Sequence, residues 1–338
     1  MTDSDRGARR RFSYRIGLTL AVAAMLPIAA ACSSSGSSSS SSSSASGSGS
    51  SGSATAAASA TAQGVGKPTI ILGDKNFDEE FILGQLYAQA FQAKGYNVEL
   101  KPNIGGSELI NQVFQSGKIN AYPEYVGEVV SSDAGYNKPL TSEAQTLQLA
   151  QSYESKQGAT VLTPVTPFYD TDELITLKSF AQQHNLTSLA QLKGLGKLKL
   201  GDYSPELTRY QGYVGLKQVY GLSNLEFTPL AEGAPIYSAL DNGQVQVGDA
   251  FSTDAQLLSG KYTVLDDPQH IFGFQYVGLV IKTSVLDALG PQFKQTYDQL
   301  NALLTTPAMQ ALNKAVSVDK DDPATVAKEF LQANHMLG

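Results

Sequence analysis

From Thr69 onward, short runs of apolar and β-branched residues alternate with longer segments whose apolar residues recur every three or four positions. The first run, 69–73, predicts a buried strand, and the spacing over 77–93 predicts a helix that Gly95 ends. Strand, helix and strand patterns follow over 98–122. This β-α-β-α-β order predicts an α/β fold with a mostly parallel sheet and helices on its faces.

A second set of the same kind begins after the proline-flanked segment 164–167. Its predicted elements are strands at 173–177, 197–201, 226–228 and 245–248 and helices at 205–220 and 235–242. The chain then returns through a strand at 276–282 into helices at 291–304, 307–316 and 323–333. We therefore predict two α/β lobes, the first from 67–170 plus 271–338 and the second from 171–270, with ligands in the cleft outside the strand ends.

The first 66 residues have a different character. Residues 1–31 hold five arginines and then the apolar run 16–31, which predicts an export signal because the run is too short and Ala-rich for a membrane span. Residues 32–66 carry no charge and are dominated by Ser, Ala, Gly and Thr. Such a segment has no apolar face to bury, so we predict a disordered tether.

Cys32, the only cysteine of the sequence, directly follows three alanines at the end of the apolar run. A bacterial lipoprotein signal peptidase leaves a lipid-modified cysteine at such a place, so we expect an extracytoplasmic protein anchored to the cell membrane by lipid. Ala29 stands where the usual signal has Leu, and plain secretion is therefore the alternative. The arginines before Phe12 leave both the general and the twin-arginine export routes open.

The composition argues against several other classes. One cysteine cannot form an internal disulfide or a thiolate zinc site, and His184, His270 and His335 lie far apart, so we predict no metal and no cofactor. A formal net charge of −7 argues against nucleic acid as a partner. No nucleophile elbow, P-loop or dinucleotide fingerprint occurs in the sequence, and we predict no enzymatic activity.

Aromatic and acidic side chains follow several of the predicted strands. The segments 74–80, 122–128 and 251–254 all combine the two types at a strand end. Acidic residues at a helix start also satisfy free backbone amides, and a single tyrosine often only packs. Because Tyr125 and Glu128 are three residues apart at a predicted helix start, we expect both to face the region above the sheet.

Two of these segments resemble motifs of the substrate-binding proteins of ABC transporters for glycine betaine, choline and related osmoprotectants. Residues 75–80 are similar to K-N-F-T-E-Q, and residues 122–128 to Y-P-E-Y-T-G-T. The segments 209–221 and 251–254 give weaker matches, and the resemblance covers almost all of 67–333. It implies a type II periplasmic-binding-protein fold, in which two α/β lobes joined by a two-strand hinge close on a solute that is passed to an ABC permease subunit.

The resemblance also implies ligand residues. Members that resemble this chain hold a quaternary ammonium among tyrosines, and those positions fall on Tyr125, Phe251 and Tyr276. Aromatic faces suit a trimethylammonium group, which cannot donate hydrogen bonds. The arginine that grips a betaine carboxylate in the family matches Arg209, whose guanidinium fits a carboxylate in a bidentate manner.

The chain departs from the family pattern at acidic positions. Glu80 replaces Gln, Glu128 replaces Thr, and Asp172-Glu173 stand where the family has Thr-Tyr. These carboxylates favour a cation with hydrogen-bond donors, such as a choline-like amine or a guanidino compound, over a zwitterion such as glycine betaine. Alternatively they pair with Arg209 or Lys75, which makes the site less acidic. The residues predicted to contact the ligand are Asn76, Phe77, Glu80, Tyr125, Glu128, Asp172, Glu173, Arg209, Phe251 and Tyr276.

We therefore predict a monomeric binding protein that captures a small cationic or zwitterionic solute and delivers it to an ABC permease. A ligand-sensing receptor domain of the same fold is an alternative. An enzyme that uses Glu80 and Glu128 as acid and base is another.

Overall fold

The computed structural model describes residues 63–163 and 168–337. The predicted export signal, Cys32 and the predicted tether up to residue 62 lie outside the described residues. Within the described ranges, no helix combines the length and the apolar character needed to cross a membrane.

The described residues form two five-stranded sheets and helices that pack on them. The strands are β1 (Ile70–Gly73), β2 (Val98–Lys101), β3 (Ala121–Tyr125), β4 (Ala159–Leu162), β5 (Asp172–Leu177), β6 (Leu198–Tyr203), β7 (Leu225–Leu230), β8 (Val247–Phe251), β9 (Tyr262–Val264) and β10 (Val277–Lys282). The α-helices are α1 (Asp78–Ala93), α2 (Ser107–Gln115), α3 (Val126–Glu128), α4 (Glu143–Lys156), α5 (Lys178–His184), α6 (Gly215–Gln218), α7 (Ala234–Asp241), α8 (Thr283–Leu289), α9 (Pro291–Asn301), α10 (Thr306–Asn313) and α11 (Pro323–Ala333).

The first sheet has the strand order β2-β1-β3-β10-β4. Strand β1 pairs in parallel with β2 and β3, whereas β10 runs antiparallel between β3 and β4. The second sheet repeats this plan in the order β7-β6-β8-β5-β9, with β5 as the antiparallel strand between β8 and β9. We call each sheet with its helices a lobe, lobe 1 for the first sheet and lobe 2 for the second.

This architecture confirms the predicted α/β class with two lobes. The first sheet takes strands from 70–162 and 277–282, and the second takes strands from 172–264. The residue boundaries predicted for the lobes, and for the signal and the tether before them, stay predictions.

Two chain segments connect the lobes, and they pair with each other. Tyr169 on the outward segment lies opposite Tyr276 on the return segment as an antiparallel bridge, and the amide of Asp170 donates to the carbonyl of Gln275 at 2.9 Å. The two tyrosine rings meet edge to face, with 6.2 Å between their centroids. This pairing is the two-strand connection that the sequence analysis expected.

The C-terminal helices return to lobe 1 and bury the outer face of α1. Phe91 on α1 packs against Phe293 on α9 with 4.4 Å between ring centroids, and Tyr87 stacks on Tyr297. The hydroxyl of Tyr87 donates to Asn301 at 3.0 Å, so this buried aromatic layer also has its polar atoms paired. Lobe 1 thus depends on sequence from both ends of the described chain.

The predicted continuous helix over 205–220 is wrong. The chain forms a short 3₁₀ turn at Ser204–Leu207, an irregular turn at Tyr210–Val214 and only then α6. Gly212 has φ −137° and ψ −131°, outside the helical region, and it packs so closely on Glu206 that a Cβ atom would overlap that side chain. The break places Arg209 in extended backbone between the two turns.

Close packing of α7 on β8 depends on Gly248. A Cβ atom at this position would lie 2.7 Å from Cγ2 of Ile236 and 2.8 Å from Cδ1 of Leu240. Both side chains belong to the buried face of α7, so they cannot give way without moving the helix.

We predict that Gly248→Val lowers the free energy of unfolding by about 1 to 3 kcal/mol, because it overpacks this interface. The measurement is urea unfolding followed by circular dichroism. Gly196→Val is the matched control, since nothing lies within 4 Å of a Cβ atom there, and we expect a change within about 0.5 kcal/mol. Equal losses in both variants would contradict the packing argument.

Candidate functional site

A cavity of about 390 Å³ lies in the cleft between the lobes, at the strand ends. Its size falls in the range typical of small-molecule sites. The residues that line it are Lys75, Asn76, Phe77, Gly106, Ser107, Glu108, Tyr125, Glu128, Asp170, Asp172, Tyr203, Pro205, Arg209, Glu232, Phe251 and Gln275.

Two aromatic rings form the lobe 1 wall of the cavity. Phe77 directly precedes α1 and Tyr125 ends β3, and their rings stack with 6.1 Å between centroids and 26° between planes. The Tyr125 hydroxyl donates to Oε1 of Glu79 at 2.9 Å. Burial, together with the negative charge of Glu79, raises the pKa of Tyr125 well above its usual value, so the phenol stays protonated.

A buried ammonium group supports this wall from inside lobe 1. Nζ of Lys75, a side chain only 2% exposed, lies 4.5 Å from the Tyr125 ring centroid and forms an ion pair with Glu124. It also donates to Oγ of Ser107 at 3.1 Å. Burial opposes the charge, but Glu124 and Glu80 raise the pKa of Lys75 above its usual value, so the amine stays protonated.

Two further rings form the lobe 2 wall. Tyr203 ends β6 and Phe251 ends β8, with 6.2 Å between their centroids and 40° between their planes. The two strands are parallel neighbours of one sheet, so their carboxyl ends bring both rings to the same edge. The cavity therefore has two aromatic rings from each lobe.

Arg209 connects the lobes across the cavity. Its guanidinium lies 2.9 Å from Oε1 of Glu108 and 3.4 Å from Oε2 of Glu128, both in lobe 1, and 2.8 Å from Oε1 of Glu206 in lobe 2. Burial opposes the charge, but Glu128 and Glu206 raise the pKa of Arg209 above its usual value. The hydrogen bond from Arg209 outweighs burial at Glu108 and lowers the pKa of that carboxyl. Three carboxylates of the chain thus share one guanidinium.

The return segment of the connection also reaches the cavity. Nε2 of Gln275 donates to Oε1 of Glu128 at 3.3 Å, while Oε2 of Glu128 accepts from Ser132 at 2.6 Å. Gln275 lies so close to Gly127 that a Cβ atom there would overlap its amide group. Glu128 is therefore held by contacts from both the connection and lobe 2.

Buried carboxyl groups lie beneath the lobe 2 wall. Burial, and then repulsion from Glu206, raises the pKa of both Asp172 and Asp202 well above the usual range. Asp249 lies in the same group, and burial with repulsion from Asp202 and Asp172 raises its pKa as well. Burial also raises the pKa of Glu206 to about 7, although Arg209 acts in the opposite direction. Glu206 can therefore take up or release a proton near neutral pH, whereas burial favours the protonated form of the three aspartates.

The structure brings together seven of the ten residues predicted to contact the ligand. Those that line the cavity are Asn76, Phe77, Tyr125, Glu128, Asp172, Arg209 and Phe251. Glu80 is fully buried and accepts from the backbone amide of Lys75 at 3.1 Å. Glu173 lines a separate, smaller pocket near His270. Tyr276 packs against Tyr169 in the connection, because the antiparallel pairing of the two segments turns its ring that way.

The alternative expectation from the sequence is that the acidic residues at family positions pair with Arg209 or Lys75. The structure contains such a pair between Glu128 and Arg209. Lys75 pairs with Glu124, which is a residue of the family-like motif itself.

Other lining residues were absent from the prediction. Tyr203 ends β6 and Glu232 comes shortly after β7, so the rule of aromatic or acidic residues at strand ends could have found them. Glu108 had no such signal, because its role depends on Arg209, 101 residues further along the chain. In the described ranges, no group of three or more His, Cys, Asp or Glu side chains is arranged to hold a metal ion.

Two α/β lobes joined by two crossing segments, with an aromatic and charged cavity between them, define the class of bilobed solute-binding proteins. Residues 68–333 match the family model for the substrate-binding domain of the ABC-type glycine betaine transport system, and the chain belongs to this family. It is thus the extracytoplasmic substrate-binding component of an ABC importer, in a family of solute-binding proteins rather than enzymes.

Individual relatives agree with this assignment. The glycine-betaine-binding protein of Pseudomonas aeruginosa is 29% identical over 281 residues, covering 80% of this chain and 89% of the relative. The carnitine transport binding protein OpuCC of Listeria monocytogenes is 24% identical over 276 residues, with the same coverage of both chains. A solved structure described as a glycine betaine/carnitine/choline ABC transporter has a TM-score of 0.67 at 23% identity, covering 80% of this chain and all of the other. The predicted type II periplasmic-binding-protein fold is confirmed.

We predict that Lys75→Met lowers the free energy of unfolding by about 3 to 5 kcal/mol, because it leaves the buried carboxyl of Glu124 without its cationic partner. Urea unfolding at neutral pH measures the loss. The double variant Lys75→Met, Glu124→Leu is expected to recover most of it, since it leaves no lone charge.

Lys101→Met is the matched control for this prediction, because it removes the exposed ion pair between Lys101 and Glu99. Exposed pairs contribute little, so we expect a loss of at most about 1 kcal/mol. A Lys75→Met variant as stable as this control would show that the buried pair is not needed.

Proposed function

We propose that this protein, anchored to the cell membrane through a lipid on Cys32, captures a small organic cation in the cleft and delivers it to an ABC permease. The observation that carries the choice of a cation is the environment of Arg209. We further propose that the protein acts as a monomer, that residues 1–31 are removed as an export signal, and that the bound solute leaves chemically unchanged.

The aromatic rings support the quaternary-ammonium part of this proposal. Phe77, Tyr125, Tyr203 and Phe251 contribute aromatic carbon surface to one cavity. A trimethylammonium group has no N–H to donate, so this surface suits it better than polar groups do. Each favourable contact contributes about 0.5 to 2 kcal/mol, and several together are compatible with micromolar binding.

The state of Arg209 argues for a ligand without a carboxylate. Its guanidinium already bonds to Glu108, Glu128 and Glu206. A betaine carboxylate would have to displace carboxylates of the chain and would meet their negative charge. Glycine betaine and carnitine, for which these relatives are named, share the quaternary ammonium with the proposed ligand but carry a carboxylate in addition.

The balance of charge in the cavity points in the same direction. Glu108, Glu128, Asp170, Asp172 and Glu232 line it, against Lys75 and Arg209. Lys75 is already neutralised by Glu124 inside lobe 1. Burial raises the pKa of Asp170 and Asp172 well above the usual range and that of Glu232 to about 7. A cationic ligand favours the ionised forms of these carboxyl groups and compensates their charge.

We predict that choline binds at least tenfold more tightly than glycine betaine and carnitine, as measured by isothermal titration calorimetry of the purified protein. Glu128→Gln is expected to weaken choline binding at least tenfold and to strengthen glycine betaine binding. It removes an attraction for the cation and frees part of the Arg209 guanidinium.

Glu99→Gln, an exposed change on β2, is the control for this experiment and is expected to alter neither affinity. Tighter binding of glycine betaine than of choline by the unchanged protein would overturn the choice of a cation. Absence of binding by all three compounds would overturn the ligand class.

We predict that choline affinity rises several-fold between pH 6 and pH 8. Burial raises the pKa of Glu206 and that of the cavity-lining Glu232 to about 7, so part of the negative charge is neutralised at pH 6 and present at pH 8. Binding of a cation favours the ionised forms and releases protons. Calorimetry in two buffers of different ionisation enthalpy measures that release, and an affinity independent of pH would contradict the prediction.

A further inference from the structure

A second cavity, of about 430 Å³, adjoins the first one in the cleft. The two cavities share Asn76, Phe77, Asp170, Glu232 and Phe251 as a common wall. Beyond this wall the second cavity is lined by the start of α1, the start of α7, the segment after β8, and the end of α10 with the residues that follow it. The proposed binding of a compact cation among the four rings uses none of this space.

Carboxyl groups dominate the second cavity. Asp78, Glu79 and Asp254 line it together with the shared Asp170 and Glu232, and Lys320 is the cation among the lining residues. Some of these carboxyls have partners in the chain, such as Asp254, which accepts from the Tyr237 hydroxyl at 2.7 Å. These partners are neutral donors, so no positive charge among them compensates the carboxyl groups. Burial raises the pKa of Glu79, Asp170 and Asp254, and a cation beside them favours their ionised forms.

A buried amide oxygen at the end of α10 has no hydrogen-bond donor among the described residues. Asn313 is 7% exposed, and its Nδ2 donates to Oε2 of Glu79 at 2.7 Å and to the carbonyl of Thr253 at 3.2 Å. These two acceptors fix which way the amide is turned. Oδ1 of Asn313 is left without a partner among the described residues, although Asn313 lines the cavity.

An unpaired buried acceptor is costly, and only an N–H or O–H donor can satisfy it. The neighbouring carboxylates favour a donor that also carries positive charge. A primary ammonium has three such donors, whereas a quaternary ammonium has none. The two cavities therefore suit two different kinds of cationic group.

We propose that the second cavity binds the protonated amino end of an elongated dication whose quaternary ammonium end lies among the rings of the first cavity. The ligand class is an aminoalkyl-trimethylammonium compound or an amine of the same shape. Glu232 lies in the common wall, and the alkyl chain that joins the two ends of the ligand would pass beside it. This inference rests on the proposed function of the first cavity.

The experiment compares two series of synthetic cations by calorimetry on the purified protein. One series is the n-alkyltrimethylammonium ions, and the other is the ω-aminoalkyltrimethylammonium ions of the same chain length. We expect the dication to bind at least tenfold more tightly than its monocation at one optimal length. Choline serves as the probe of the first cavity.

Two variants, one that removes a negative charge and one that removes a positive charge, test whether the amino end of the dication lies in the second cavity. Asp78 and Lys320 line only the second cavity. Asp78→Asn is expected to weaken dication binding at least fivefold, and Lys320→Gln is expected to strengthen it. Choline affinity should stay within twofold in both. Glu329→Gln, an exposed change of the same kind on α11, is the control and should change neither affinity.

The outcomes separate this inference from the one on which it rests. If choline binds but no dication exceeds its monocation, the second site is overturned and the proposed function stands. If Asp78→Asn weakens choline and the dication equally, the second site is likewise overturned. If neither choline nor any dication binds, both proposals fail.

Discussion

The ion pairs of Arg209 hold the two lobes together across the cleft, and the character of the cavity depends on them. Glu108 and Glu128 from lobe 1 and Glu206 from lobe 2 surround one guanidinium that is only partly exposed. Charges in such a setting interact more strongly than at an open surface, but they also lose hydration when the lobes approach. Arg209 thus forms ion pairs with carboxylates of the protein itself. An arginine that binds a ligand carboxylate would instead need free N–H donors.

The lobe 1 wall has a comparable origin. Lys75, paired with Glu124 and placed against the Tyr125 ring, fixes the ring from behind, while Glu79 fixes its hydroxyl. A ring held at both its face and its tip loses little freedom when a ligand arrives. Part of the entropy cost of binding is therefore met during folding, which is the basis of preorganised recognition.

The periodicity of the sequence was enough to predict elements whose packing is local. The strand predicted at 69–73 and the helix predicted at 323–333 match β1 and α11 closely. The helix predicted at 205–220 was wrong because Gly212 packs against Glu206, and this contact cannot be read from the periodicity of the sequence.

Phe77, Tyr125 and Phe251 could be predicted as site residues because the ends of neighbouring strands meet at one edge of a sheet. The resemblance could not show where the side chains of Glu80 and Tyr276 point, and Glu108 meets Arg209 only through the approach of the lobes.

Gly127 shows how the return segment of the connection contacts the cavity wall. The glycine belongs to the motif that suggested a ligand site, yet its lack of a side chain makes room for Gln275 of the return segment. Gln275 in turn donates to Glu128, next in sequence to that glycine. A rotation of the lobes about the connection would therefore displace the carboxylate of Glu128, which lines the cavity. Gly127 and Gln275 thus link the position of a cavity-lining carboxylate to the geometry of the connection between the lobes.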